Sequence, residues 1–240
     1  MQLPKVHGVI RRRLLVNFRV DPQTIRAVLP APFAPKLHDG HAIAGICLIR
    51  LEAIRPKPVP AVFGIASENA AHRIAVTWQD GGVEREGVYI PRRDTGSLLN
   101  HLVGGRLFPG EHQRATFDVA DDGERIALDM RSADGRVTVG IEGRATDSLP
   151  SSSAFRSVAE ASSFFAAGSV GYSATTAGRH LDGVVLKTSS WSVGPLSIAR
   201  VHSSYFSDAK VFPEGSITFD CALVMRNIAH EWEPAQAMYL

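Results

Sequence analysis

Residues 114–146, RATFDVADDGERIALDMRSADGRVTVGIEGRAT, carry apolar side chains at every second position in three successive runs: Ala115, Phe117 and Val119, then Ile126, Leu128 and Met130, then Val137, Val139 and Ile141. A period of two is that of a strand with one buried face, because successive side chains of an extended chain point to opposite sides. Asp121-Asp122-Gly123 and Ala133-Asp134-Gly135 separate the runs, and Asp-Gly is a strong signal for a tight hairpin turn. The stretch predicts an antiparallel β-meander.

The flanks extend this pattern. Residues 8–20 read as a strand, and Asp21-Pro22 then supplies an N-cap followed by proline in the first turn of a short helix to about Leu29, which Pro30 and Pro32 stop. Asp39-Gly40 marks another hairpin, and Ala42 to Ile49 is apolar at consecutive positions, as in a strand buried on both faces. Beyond a Pro-rich connector from Arg55 to Pro60, strands are expected at 61–68, 72–79 and 84–90, the last two joined by Asp80-Gly81-Gly82. Asp94 or Thr95 is expected to cap a helix over 97–103 that ends at Gly104-Gly105, which puts Arg92 and Arg93 in a strand-to-helix turn.

After the meander, Ser151-Ser152-Ser153 precedes a predicted helix over about 155–167, with Val158, Ala161, Phe164 and Phe165 on one face and Gly168 as its stop. Residues 183–206 and 215–227 give further strands. Many strands, few short helices and hairpin turns throughout predict one mainly β domain over residues 1–240, an antiparallel β-barrel or curved sheet with peripheral helices.

Composition removes several function classes. With 240 residues, 45% hydrophobic and 21% charged, the chain is that of a globular protein large enough to enclose a pocket. A net charge of +2 gives little electrostatic reason to expect nucleic acid, and basic and aromatic residues do not interleave on one segment. No run approaches the ~18 apolar residues of a membrane span, and Arg11-Arg12-Arg13 leads into no signal-type apolar region, so neither a membrane partner nor export is expected and a cytoplasmic location is. Cys47 and Cys221 stand in separate apolar runs as reduced core thiols. The nine histidines show no metal-binding spacing. No nucleophile elbow, P-loop or dinucleotide fingerprint is present, so no metal and no cofactor is expected.

Residues 86–93, Glu-Gly-Val-Tyr-Ile-Pro-Arg-Arg, resemble the Gly-[Phe/Tyr]-Pro-Lys-Lys stretch of acetoacetate decarboxylases, in which the first lysine forms a Schiff base and the second lowers its pKa. Residues 18–33 are similar to the Asp-Pro…Pro-x-Pro opening of that superfamily. Ser67-Glu68-Asn69, Gly87-Val88-Tyr89, Ser162-Ser163-Phe164-Phe165, Gly171-Tyr172-Ser173 and Phe212-Pro213-Glu214-Gly215-Ser216 resemble its DUF2071, or YqjF-like, branch. The resemblance implies a cone-like barrel enclosing a ligand site. It does not carry the named activity, because both lysine slots are arginine: a guanidinium stays protonated above pH 12 and forms no imine. What is left is a pair of cations suited to a carboxylate. Of the five lysines, only Lys187 sits in an apolar strand context.

The candidate ligand-binding residues are Arg92, Arg93, Tyr89, His72 and His101, and the candidate acid/base residues are Glu68 and Glu86. Glu68 ends an apolar strand and matches the family's acidic position, which in the decarboxylases faces the lysine pair; here it is expected to face Arg92. Glu86 and Tyr89 are expected to share a strand face and to present a carboxylate and a phenol to the cavity. Either Arg11 or Arg13 lies near a further arginine of the decarboxylases. The expectation is a small organic acid, oxo or carboxylic, bound in the barrel, with non-imine chemistry of lyase, isomerase or hydratase type if any. A non-catalytic sensor or carrier is the other reading, and a homo-oligomer is suggested by analogy with the decarboxylases.

Overall fold

The computed structural model describes residues 5–57, 59–98, 110–175 and 180–239. Thirteen strands join one sheet. In chain order they are β1 (Val6–Val20), β2 (Ala34–Pro35), β3 (Leu37–His38), β4 (His41–Pro56), β5 (Ile65–Asp80), β6 (Val83–Thr95), β7 (His112–Asp121), β8 (Arg125–Ser132), β9 (Thr138–Ala145), β10 (Val170–Ala174), β11 (His180–Thr188), β12 (Gly194–Ser203) and β13 (Ile217–Tyr239). Two α-helices accompany them among the described residues, α1 (Pro22–Val28) and α2 (Val158–Ala167). Neither is long and apolar enough to cross a membrane.

The strands β6-β5-β4-β1-β13 pair in that order, and both outer members fork. The free edge of β6 takes β10 at Val88 and Tyr89 and β7 from Arg93 to Thr95. The free edge of β13 takes β12 at residues 222–224 and β11 from His230 to Tyr239. One branch runs β7-β8-β9-β12 and closes a ring of nine strands; the other runs β10-β11 and closes a second circuit of seven. All pairings are antiparallel except β6 with β7 and β6 with β10, so the sheet is mixed.

Each circuit encloses one face of the shared five strands, and the pleat sorts residues between them by parity. On β1, Leu14 and Val16 join the cluster that contains Leu128 and Ile141, whereas Leu15 joins the one with Cys221 and Phe165. On β4, Ala44, Ile46 and Leu48 go to the first cluster, and Ile43, Cys47 and Ile49 to the second. This is why residues 42–49 are apolar without interruption. Helix α2 lays Ala161 and Phe165 onto the second cluster.

The predicted meander is present as β7-β8-β9, with Gly123 and Gly135 at positive φ in its turns. Asp21 accepts bonds from the amides of Gln23 and Thr24 and caps α1, as expected. Other elements differ from the sequence reading. Residues 65–80 form one strand where two were expected, and 183–206 divides into β11 and β12. The last strand runs on to Tyr239, and β10 was not anticipated. Helix α2 starts at Val158 because Ser157 caps it by accepting the Glu160 amide. The helix expected over 97–103 falls largely outside the described residues. Strand β6 continues through Thr95, so Arg92 and Arg93 lie within a strand and not in a turn.

Candidate functional site

That strand extension separates the two arginines. Arg92 pairs across the sheet with His72 and Arg93 with Ala71. Adjacent residues of a strand point to opposite faces, so Arg93 turns into the seven-strand circuit and Arg92 into the other.

The seven-strand circuit encloses a cavity of about 140 Å³ to which all seven strands contribute, among them Arg13 of β1, Cys47 of β4, Arg73 of β5, Arg93 of β6 and Trp232 of β13. Much of its wall is apolar, from Ile49, Leu51, Val88, Ile90 and Leu186. Arg13 donates Nε–H to Cys47 Sγ at 3.2 Å and lies over the Trp191 ring. Arg73, only 4% exposed, donates from Nη2 to Asn17 Oδ1 and stacks on Phe165. Arg93 donates Nε–H to Ser173 Oγ at 3.1 Å.

Each of the three retains a solvent-sealed nitrogen with no acceptor: Nη1 of Arg13, Nε of Arg73 and Nη2 of Arg93. Among the described residues none of the three forms an ion pair. Burial pushes the guanidinium pKa of Arg73 and of Arg93 down to about 10. Both remain cations at neutral pH, so the cavity holds three positive charges. Arg73 is buried and Arg13 and Arg93 are half-buried; unpaired charge withdrawn from water is costly, and an incoming anion relieves that cost.

Arg92 is differently placed. Its Nε and Nη2 grip the fully buried carboxylate of Asp94, and its Nη1 and Nη2 reach Asp134. It lines an open cleft of about 560 Å³ with Arg136, Tyr205 and Asp208. Ile90 and Arg93 stand between this cleft and the inner cavity, bordering both. His72 is fully buried on the Arg92 face, with Nε2 at 3.1 Å from Ser203 Oγ, and burial, then Arg92, pushes its pKa down to about 3.

Tyr89 packs on Phe33, and burial raises its pKa. Glu68 shares the Arg92 face, but its carboxylate goes to Arg12 at 2.7 Å; burial raises its pKa against the pull of Arg12. Glu86 binds Lys36 at the sheet margin. Glu86 and Tyr89 are three positions apart, so the pleat sends them to opposite faces and the expected carboxylate–phenol pair does not form. His101 lies outside the described residues. Of the two N-terminal candidates Arg13 faces the cavity, whereas Arg11 is exposed and binds Glu52.

The structure therefore gathers Arg93 and Arg13 and adds Arg73 and Cys47, which were not among the sequence candidates. The signal for Arg73 was parity: it follows Ala71 on the face that carries Cys47 across the β4–β5 pair. Lys187 is exposed and bonded to Glu233, and no lysine lines the cavity among the described residues.

The profile of DUF2071, described as an uncharacterized conserved protein, matches residues 9–218. Among solved structures the chain is similar to an acetoacetate decarboxylase from Legionella pneumophila, at 11% identity and a TM-score of 0.61 over 99% of this chain and 88% of that one. It is similar to an acetoacetate decarboxylase-like enzyme from Sphingomonas wittichii RW1, at 14% identity and a TM-score of 0.59 over 100% and 93%. It is also similar to the enduracididine biosynthesis enzyme MppR complexed with pyruvate, at 12% identity and a TM-score of 0.62 over 100% and 91%. These likenesses establish an acetoacetate decarboxylase-like fold. No curated protein matches by sequence.

Proposed function

The chain belongs to the DUF2071 family, and from that membership and the geometry above we propose that it binds a small organic acid in the seven-strand cavity without forming an imine. One observation carries the reading: Arg13, Arg73 and Arg93 wall a single cavity, each with a buried N–H lacking an acceptor. Guanidinium forks match carboxylate geometry, and the apolar remainder of the wall suits a short carbon skeleton. That MppR has been seen with pyruvate agrees with a small-acid ligand.

Binding without turnover, as in a carrier or sensor, is the form this geometry favours. Asp94 is the carboxylate on the cavity wall among the described residues, and Arg92 holds it through two bonds. Glu68 and Glu86 are engaged with Arg12 and Lys36. A cytoplasmic location and self-association belong to the same proposal. Isothermal titration with short mono- and dicarboxylic acids, with NMR of the same mixtures over hours, tests it. The expected result is saturable binding that Arg13→Gln weakens by about tenfold, no borohydride-trapped adduct, and unchanged acid. Turnover would overturn the carrier form, and a labelled Lys187 the no-imine claim. Failure of every acid to bind would end the whole reading.

A further inference from the structure

We infer that the ligand of this cavity is a short dicarboxylate, its two carboxylates divided between Arg13 with Arg73 at one wall and Arg93 at the other. The inference rests on the reading just proposed and specifies its ligand. A monocarboxylate would leave two of the three cavity cations uncompensated. Asp94, on the cavity wall, and Asp134 share the single cation Arg92, a group of net charge −1, so the three arginines and this group together present a net +2, which a dicarboxylate matches.

Placement divides the three into two groups. Arg73 reaches toward β1, where its Nη2 meets Asn17, and the charge of Arg13 acts on it. Arg93 is tied at the opposite side, to Ser173 on β10. Arg13 and Arg73 share a further small recess that Arg93 does not border, and Arg93 borders the outer cleft that neither of them lines. One carboxylate has two oxygens and cannot saturate both groups of guanidinium donors, whereas a dicarboxylate offers one carboxylate to each. The apolar side chains that line the same cavity, Ile49, Leu51 and Val88 among them, favour a carbon link over a compact inorganic dianion.

Isothermal titration of the full chain at constant ionic strength, with malonate, its monomethyl ester and inorganic phosphate, tests this. Malonate and its monoester share a skeleton and differ by one charge. The expected result is malonate at least about tenfold tighter than the monoester, as one further charge-assisted carboxylate contact implies. Arg93→Gln should bring the two within about threefold by weakening malonate and leaving the monoester nearly unchanged. Should that variant fail to fold, the wild-type ratio and Arg73→Gln, which should weaken both acids, carry the test. Equal affinity of malonate and the monoester would overturn the inference while leaving acid binding intact. Phosphate binding more tightly than malonate would overturn the dicarboxylate assignment, and no binding by any probe would remove the underlying proposal too.

Discussion

Replacing Arg93 with methionine should stabilise the ligand-free protein while removing its affinity for acids. Burial lowers the pKa of this guanidinium from 12.5 to about 10, and at about 1.4 kcal/mol per unit that is a penalty of roughly 3 kcal/mol for holding the cation in the folded state. Methionine removes the penalty, fills similar space, and sacrifices one bond, from Nε to Ser173 Oγ at 3.1 Å, worth about 1.5–3 kcal/mol. The balance is a gain of about 1 kcal/mol, which for a chain of this length is a rise in melting temperature of about 2–4 °C. Its neighbour gives the opposite sign. Arg92→Met strands the fully buried Asp94 carboxylate and frees Asp134, a loss of about 3–5 kcal/mol. Calorimetric or fluorimetric melting at pH 7 in a buffer without carboxylates, with and without malonate, checks both. If Arg93→Met lowers the melting temperature by more than about 5 °C, or keeps the malonate-induced shift, the guanidinium is a structural strut and the anion argument is refuted.

Three further outcomes are expected. Cys47 lines the cavity beside Arg13 while Cys221 is fully buried away from it, so iodoacetate, an anion, should alkylate Cys47 faster than neutral iodoacetamide does. Mass spectrometry of the labelled protein should show this preference vanish in Arg13→Gln, and equal labelling of Cys221 would count against it. Burial pushes His72 down to about 3 and His230 down to about 4 from an ordinary 6.5. Below pH 6.5 the unfolded chain takes up protons that the folded one refuses, so stability is fully present above that pH and drains as pH falls toward the folded values. Two such groups cost about 2 kcal/mol between pH 6.5 and 5.5, above the range where most carboxylates titrate; a urea midpoint that does not move across that interval would contradict the burial of both rings. Lys36→Met should leave malonate binding within about twofold, because Lys36 serves Glu86 and Phe164 and lies off the cavity wall.

Much of this architecture was legible before any coordinates. The alternation in residues 114–146 gave three strands of the meander, and the unbroken apolar run 42–49 announced a strand with two buried faces. The site was less legible. Asp94 and Thr95 both have the chemistry of an N-cap, but the Asp94 carboxylate is spent on Arg92 inside a strand that continues to Thr95, and it is Thr95 Oγ1 that accepts the Ser97 amide. Moving that strand end moved the adjacent arginines from a shared turn to opposite faces. Arg73 was overlooked because an isolated charge in a predicted strand ordinarily points to water. Its face becomes interior only when β10 and β11 close the smaller circuit, and β10, five residues long, is the element the sequence signalled least.

The five strands common to both circuits act as a partition between two chambers, and a residue's chamber is decided by whether it sits at an odd or an even step along its strand. A single inserted residue in β1, β4 or β5 would therefore exchange the linings beyond it, sending Leu14 or Leu48 type packing into the arginine chamber or a guanidinium such as Arg73 into the hydrocarbon one. Length variation has room elsewhere, in exposed tips such as Asp39-Gly40 and Gly81-Gly82, which line neither chamber.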